Sequence, residues 1–345
     1  MLTKCLEDLE SRIDEATEGQ LYAEWVDFTE DRFEGEIFSP RRATSSEPGV
    51  EWPDVRTNES LDDFDLMALQ QFRNCSGALE DGGGVLMCVR SNYGTGILPS
   101  LFGAELFIMP EETNTLPTTR PIADVEKIEA LVDAGVPDVT ASLAGRTLEM
   151  GERYAAIAAK YPKIGKHVHV YHPDTQGPMD IVEMLWGSGV FLDLIDKPGL
   201  VRALLDLVTE TYIGFMRKWE AVIPFDDGQQ VHWGMHKGTI MLRDDSGMNL
   251  SPAVCDEFML PYDQRLLDEF GGGAIHFCGR GDHYIENMCR LRGMHAIAMS
   301  QPEYNDMEVI YRNTVDRGIK LVGFPRWAAE EALASGRDLH GQVQC

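Results

Sequence analysis

Apolar side chains recur at helical spacing through residues 2 to 33, as Leu2, Leu6, Leu9 and Ile13 and then Leu21, Trp25 and Phe28. That spacing predicts two helices broken near Gly19. From about Phe38 to Asn58 serines, prolines and Gly49 crowd together, and an irregular loop or lid segment is expected. Residues 62 to 80 regain helical periodicity, and Gly82-Gly83-Gly84 ends it before the apolar strand candidate Val85-Leu86-Met87-Cys88-Val89. A rhythm of strand and helix then sets in. Strands are predicted at Val168–Tyr171, Gln230–Trp233, Ile240–Leu242, Ala274–Cys278, His295–Met299 and Lys320–Phe324. Between them Pro198 opens a long amphipathic helix. Ser251-Pro252 caps another, which Pro261 is expected to kink or divide.

Buried strands alternating with surface helices imply a parallel sheet. The absence of an early Gly-x-Gly-x-x-Gly turn argues against a dinucleotide-binding doubly wound sheet. The expected fold is an α/β (β/α)8 TIM barrel with extra N-terminal helices: one domain over 1–345, in which residues 1–80 pack on a barrel formed by 81–345.

The net charge of −27, from 57 acidic and 30 basic side chains, makes phosphate backbones and anionic lipid surfaces unfavourable partners. Seven scattered cysteines fit reduced thiols better than a disulfide scaffold. Charges near the N-terminus and the lack of any long apolar run point to a cytoplasmic protein without a membrane span.

In a parallel barrel the polar residues at the strand C-termini share one mouth. Candidates there are Asn92 and Tyr93, His172, Asp174 and Gln176, His232 and His236, Asp244 and Asp245, His276 and Cys278, and Ser300 and Gln301. Arg280 and Arg243 are the nearest cations for an anionic ligand. On a strand His276 and Cys278 leave the same face about 6 to 7 Å apart at the α-carbons, so both can reach one ion. Imidazole and thiolate suit Zn2+, and a catalytic zinc usually takes a third protein ligand. Asp245, His232, His236 or, if the tail folds over the mouth, Cys345 are the candidates for it. Without a metal, Asp245 or His172 would be left to handle protons.

The run Asp244-Asp245-Ser246-Gly247-Met248-Asn249-Leu250-Ser251-Pro252, then Phe258-Met259-Leu260-Pro261-Tyr262 and Ile275-His276-Phe277-Cys278-Gly279, resembles the uroporphyrinogen decarboxylase superfamily, especially its corrinoid-dependent methyltransferase branch. Gln176-Gly177-Pro178 through Trp186-Gly187-Ser188 is similar to it as well, and the resemblance spans roughly residues 165 to 335. It implies a TIM barrel in which a His-x-Cys pair and a later cysteine hold zinc, which activates a small-molecule thiol to accept a methyl group from a corrinoid, free or on a corrinoid protein. His276 and Cys278 match the pair. No cysteine follows Gly323-Phe324-Pro325 except the terminal Cys345, so Asp245 or a histidine of the His232 loop would substitute. The Arg-rich N-terminal signature that grips porphyrinogen carboxylates has no counterpart. A homodimer is the expected assembly on the same resemblance. The competing readings are a metal-independent decarboxylase or lyase of a small carboxylate, and a non-catalytic corrinoid- or metal-binding protein.

Overall fold

A computed structural model describes residues 1–226 and 228–345. Its strands are β1 (Ile37–Phe38), β2 (Cys88–Arg90), β3 (Glu105–Phe107), β4 (Thr118–Arg120), β5 (His169–Tyr171), β6 (Gln229–His232), β7 (Gly234–Lys237), β8 (Ile240–Arg243), β9 (Gly273–Phe277), β10 (Met294–Met299), β11 (Lys320–Leu321) and β12 (Val343–Gln344). Six form one parallel ladder in the order β1-β12-β11-β10-β9-β8, and β2 and β5 form a second parallel pair.

The barrel expectation is met in part, in a mixed α/β fold with parallel strands. Among the described residues no backbone ladder joins β5 to β8 or β1 to β2. Other bonds stitch the two seams. Met241 N–H donates to His172 Nε2 at 3.0 Å and Gly177 N–H to the Arg243 carbonyl at 2.8 Å, while Arg41 and Gly83 form an isolated bridge. One apolar cluster takes Phe38, Cys88, Tyr171, Met241, Ala274, Ala296 and Val322, residues contributed by both ladders and by the turn after β11. Strands of both ladders therefore pack on one interior cluster. Their alternate residues, such as Leu242, Ile275, Phe277 and Ile297, face outward into a larger core beneath the helices.

Several local expectations change for identifiable reasons. The break between the first two helices (Leu2–Arg12 and Glu15–Thr29) falls at Asp14, whose carboxylate accepts the Thr17 N–H, and Gly19 lies within the second helix. Pro261 does divide its helix, giving Pro252–Phe258 and Leu260–Phe270, with Ser251 as the first N-cap. The apolar run expected as one strand through Trp233 belongs instead to the antiparallel hairpin β6–β7. β6 lies against β5, and β7 against β9 and β10. Val231 and Met235 thereby join the interior cluster, with Leu21, Trp25 and Phe28 of the second helix. A second antiparallel hairpin, β3–β4, lies between β2 and β5. Among the described residues no helix is long and apolar enough to cross a membrane.

Candidate metal centre

β9 alternates in its burial as a strand around a filled interior must. Ile275 and Phe277 enter the outer core, and Ala274 lies in the inner cluster, so His276 and Cys278 continue along the inner face. Arg243 of β8 and Ala298 of β10 are the register partners of His276. Beyond β8, Asp244 N–H extends the ladder to the His276 carbonyl at 2.9 Å, and the chain then turns so that Asp245 faces the end of β9. Asp245 Oδ1 accepts the Cys278 N–H at 2.7 Å and lies 3.8 Å from His276 Nε2. His276 Nε2 is 3.4 Å from Cys278 Sγ, which is 3.4 Å from Ser300 Oγ.

The donor atoms of Asp245, His276 and Cys278 all lie within 4.8 Å of one another, and this is the one such group among the described residues. On a tetrahedral zinc with bonds of about 2.0–2.3 Å, donor atoms stand about 3.3–3.8 Å apart. The two separations that involve His276, 3.4 Å to Cys278 and 3.8 Å to Asp245, fall in that range, and oxygen, nitrogen and sulfur donors suit the ion. Burial, against the pull of Asp245, lowers the His276 pKa and so favours the neutral imidazole that binds metals. Burial also raises the Cys278 thiol, with Ser300 opposing and Asp245 adding to the rise, so without a cation nearby it stays protonated at neutral pH. The turn after Cys278 is held from outside. Gln301 Oε1 accepts the Gly279 N–H at 2.6 Å, and Gly279 adopts φ +77° where an added Cβ would fall 2.9 Å from Met248 Sδ.

A cavity of about 400 Å³ runs from His276 into the interior, past Arg243, Arg90, Asp174, His232 and Trp233. Asp174 is shared by Arg243 Nε at 2.9 Å and Arg90 Nη1 at 3.3 Å, and its Oδ1 also accepts from Gln176 Nε2 at 2.9 Å. Burial works to raise the Asp174 pKa, but Arg243 and then Arg90 outweigh it and hold the carboxyl below its usual range. His232 stacks on Tyr171 with centroids 4.4 Å apart. Burial drives His232 well below its ordinary pKa and His236 down to about 4, so neither carries charge near neutrality.

Other sequence candidates have different work. His172 is fully buried, with Nδ1 2.8 Å from the Pro173 carbonyl and Nε2 accepting from Met241 N, and burial takes its pKa to about 3. Both ring nitrogens being engaged by backbone, it braces the β5–β8 seam and is not a proton-transfer group. Tyr93 is buried in the outer core beside Arg146, where burial pushes its phenol up to about 12, so it does not meet the cavity. Asn92 accepts from Arg90 Nε at 3.0 Å and orients that guanidinium. Arg280 is exposed and paired with Asp282. Cys345 follows β12, joins the outer core and lies outside the donor group. Asp244, a candidate for the mouth, is instead fully buried with no hydrogen bond to either carboxylate oxygen. Burial and then Asp263 raise its pKa well above the carboxylate range.

The sequence reading passed over Arg90 and Asp180. Arg90 lies two residues beyond the inward Cys88, an alternation that marks it for the interior once the strand is extended by one position. Asp180 lies on the helix Pro178–Trp186, and its carboxylate accepts the Asp245 and Ser246 N–H groups at 2.9 and 2.8 Å. No signal local to its own segment announces that contact.

No protein-family model matches the sequence, and neither does any curated protein. Among solved structures a methyltransferase from Methanosarcina mazei is similar in fold, with a TM-score of 0.64 over 94% of this chain and 91% of that one, at 17% sequence identity.

Proposed function

We propose that this chain is a zinc-dependent methyltransferase that moves a methyl group between a corrinoid-type donor and a thiol. The observation that carries the reading is the convergence of Asp245, His276 and Cys278 at the end of β9, beside a cavity large enough for a small substrate. The shared fold with a methyltransferase supports it. Three protein donors of this kind leave a coordination position for substrate. When bound there, zinc supplies the positive charge that keeps a substrate thiol as thiolate at neutral pH.

The chain's own groups do the positioning. His276 offers Nε2 in its neutral form, Cys278 offers sulfur, and Asp245 is fixed by the Cys278 N–H at 2.7 Å. Arg243, a register neighbour of His276, carries the polar wall of the cavity down to Asp174 and Arg90, which orient the rest of the substrate. His172 being bonded at both nitrogens, the metal-free lyase reading is left with Asp245 alone for proton handling.

Incubation of zinc-loaded protein with methylcobalamin and a panel of small thiols tests the reading, with mass spectrometry of the thioether. Methylated thiol is expected from wild type and not from Cys278→Ser. Zinc-loaded protein that methylates no thiol would remove the proposal.

A further inference from the structure

Asp180 is a buried acid without a cationic partner. It is 5% exposed, and none of the described arginines or lysines forms an ion pair with it. A carboxylate in that setting is costly unless several donors meet it. Burial raises its pKa to about 7, against the pull of Ser246, while Asp245 adds to the rise. The side chain lies in the first turn of its helix, where its charge suits the helix N-terminus, but it makes no cap hydrogen bond there, the N-cap being Gly177. It reaches to the turn after β8 and takes two consecutive N–H groups, of Asp245 at 2.9 Å and Ser246 at 2.8 Å. Glu183, one turn further along the helix, accepts from Ser246 Oγ at 2.6 Å. Gly177 N–H bonds the Arg243 carbonyl at 2.8 Å, and a Cβ on Gly177 would come within 2.1 Å of Asp244 Oδ1. Four hydrogen bonds from one helix thus converge on the peptide segment that carries Asp245.

We infer that Asp180, assisted by Glu183, is a positioning residue for the metal centre: it clamps the backbone of the Asp245–Ser246 turn so that the Asp245 carboxylate points at His276 and Cys278. The inference rests on the zinc reading above. A carboxylate ligand left on an unclamped turn would sample other rotamers and the zinc would lose its third donor part of the time, and outer partners of this type typically contribute 10- to 100-fold in metal affinity. The role is distinct from ligation, since Asp180 is not among the donor group.

The test is zinc affinity of the full-length chain, measured by competition with a chromophoric chelator, for wild type, Asp180→Asn, Asp245→Asn and the double variant, with thermal midpoints recorded alongside. Asp180→Asn is expected to weaken zinc about 10- to 100-fold. In the Asp245→Asn background the same change is expected to add nothing, because its effect passes through Asp245. Equal affinity of Asp180→Asn and wild type overturns the inference, and so does an undiminished loss in the Asp245→Asn background, which would mark a general structural effect. Should Asp180→Asn fail to fold, Ser246→Ala removes one tether without altering buried charge. Its expected loss is about 2- to 10-fold, the worth of one hydrogen bond, and no loss overturns the inference. Wild type that takes up no zinc overturns the metal reading itself, a result separable from all of these.

Discussion

Replacing Asp174 by asparagine removes the carboxylate that is bonded to both Arg243 and Arg90. The side chain is 8% exposed and takes bonds from Arg243 Nε at 2.9 Å, Gln176 Nε2 at 2.9 Å and Arg90 Nη1 at 3.3 Å. The amide keeps one acceptor, loses the charge and turns an NH2 toward a cation. Breaking a buried pair by neutralising one partner costs about 3–5 kcal/mol, because the remaining charge is uncompensated. The Arg90 side chain keeps 19% exposure, so the lower end applies. With an unfolding entropy of about 2.1 cal/mol/K per residue, 345 residues give about 0.7 kcal/mol/K, and about 3 kcal/mol lowers Tm by about 4 °C. Differential scanning calorimetry at pH 7 reads this directly. The pH dependence has a definite sign: a carboxyl held below its ordinary value contributes fully above about pH 4, its unfolded pKa, and loses the contribution as pH falls through the lower folded value. Asp174→Asn should therefore show a shallower acid limb below pH 4. A Tm within about 1 °C of wild type would refute the reasoning that an uncompensated charge is left behind.

Other consequences are as concrete. His172, taken by burial to about 3, refuses the proton that the unfolded chain accepts near 6.5, so its stabilisation is present above pH 6.5 and declines toward pH 3. His172→Gln is expected to flatten the fall in Tm between pH 6.5 and 4, and an unchanged slope would count against it. Gly177→Ala places a methyl 2.1 Å from Asp244 Oδ1 and 2.8 Å from the Arg243 carbonyl, and an overpacking loss of about 1–3 kcal/mol is expected in chemical denaturation. Gln301→Ala frees the Gly279 N–H held at 2.6 Å and should weaken zinc binding while leaving Tm within about 2 °C; calorimetry with a zinc titration checks both.

Much of the fold was legible because strand burial follows a period of two. Ile275 and Phe277 against His276 and Cys278 read directly as outward and inward, and Asp245 was marked by its place just after a strand. The donor group spans two such strand ends, so its members were visible although their meeting was not. What escaped depended on long-range pairing. Gln230–Trp233 has strand character in either setting, and only the fold decides that it pairs back on Gly234–Lys237 and fills the interior. Gly19 suggested a break, but the Asp14 cap a few residues earlier is the stronger local determinant. His172, Tyr93 and Asp244 follow strand or turn positions like those of true cavity residues, and their burial and bonding come from partners far along the chain. Asp180 gave no local sign because its bonds lie on a segment 65 residues away.

Zinc K-edge X-ray absorption on metal-loaded protein reports the donor set most directly. One sulfur scatterer at about 2.3 Å with nitrogen and oxygen scatterers at about 2.0–2.2 Å is expected, the sulfur vanishing in Cys278→Ser. Zinc bound without any sulfur neighbour, or a stoichiometry far below one per chain, would contradict the account.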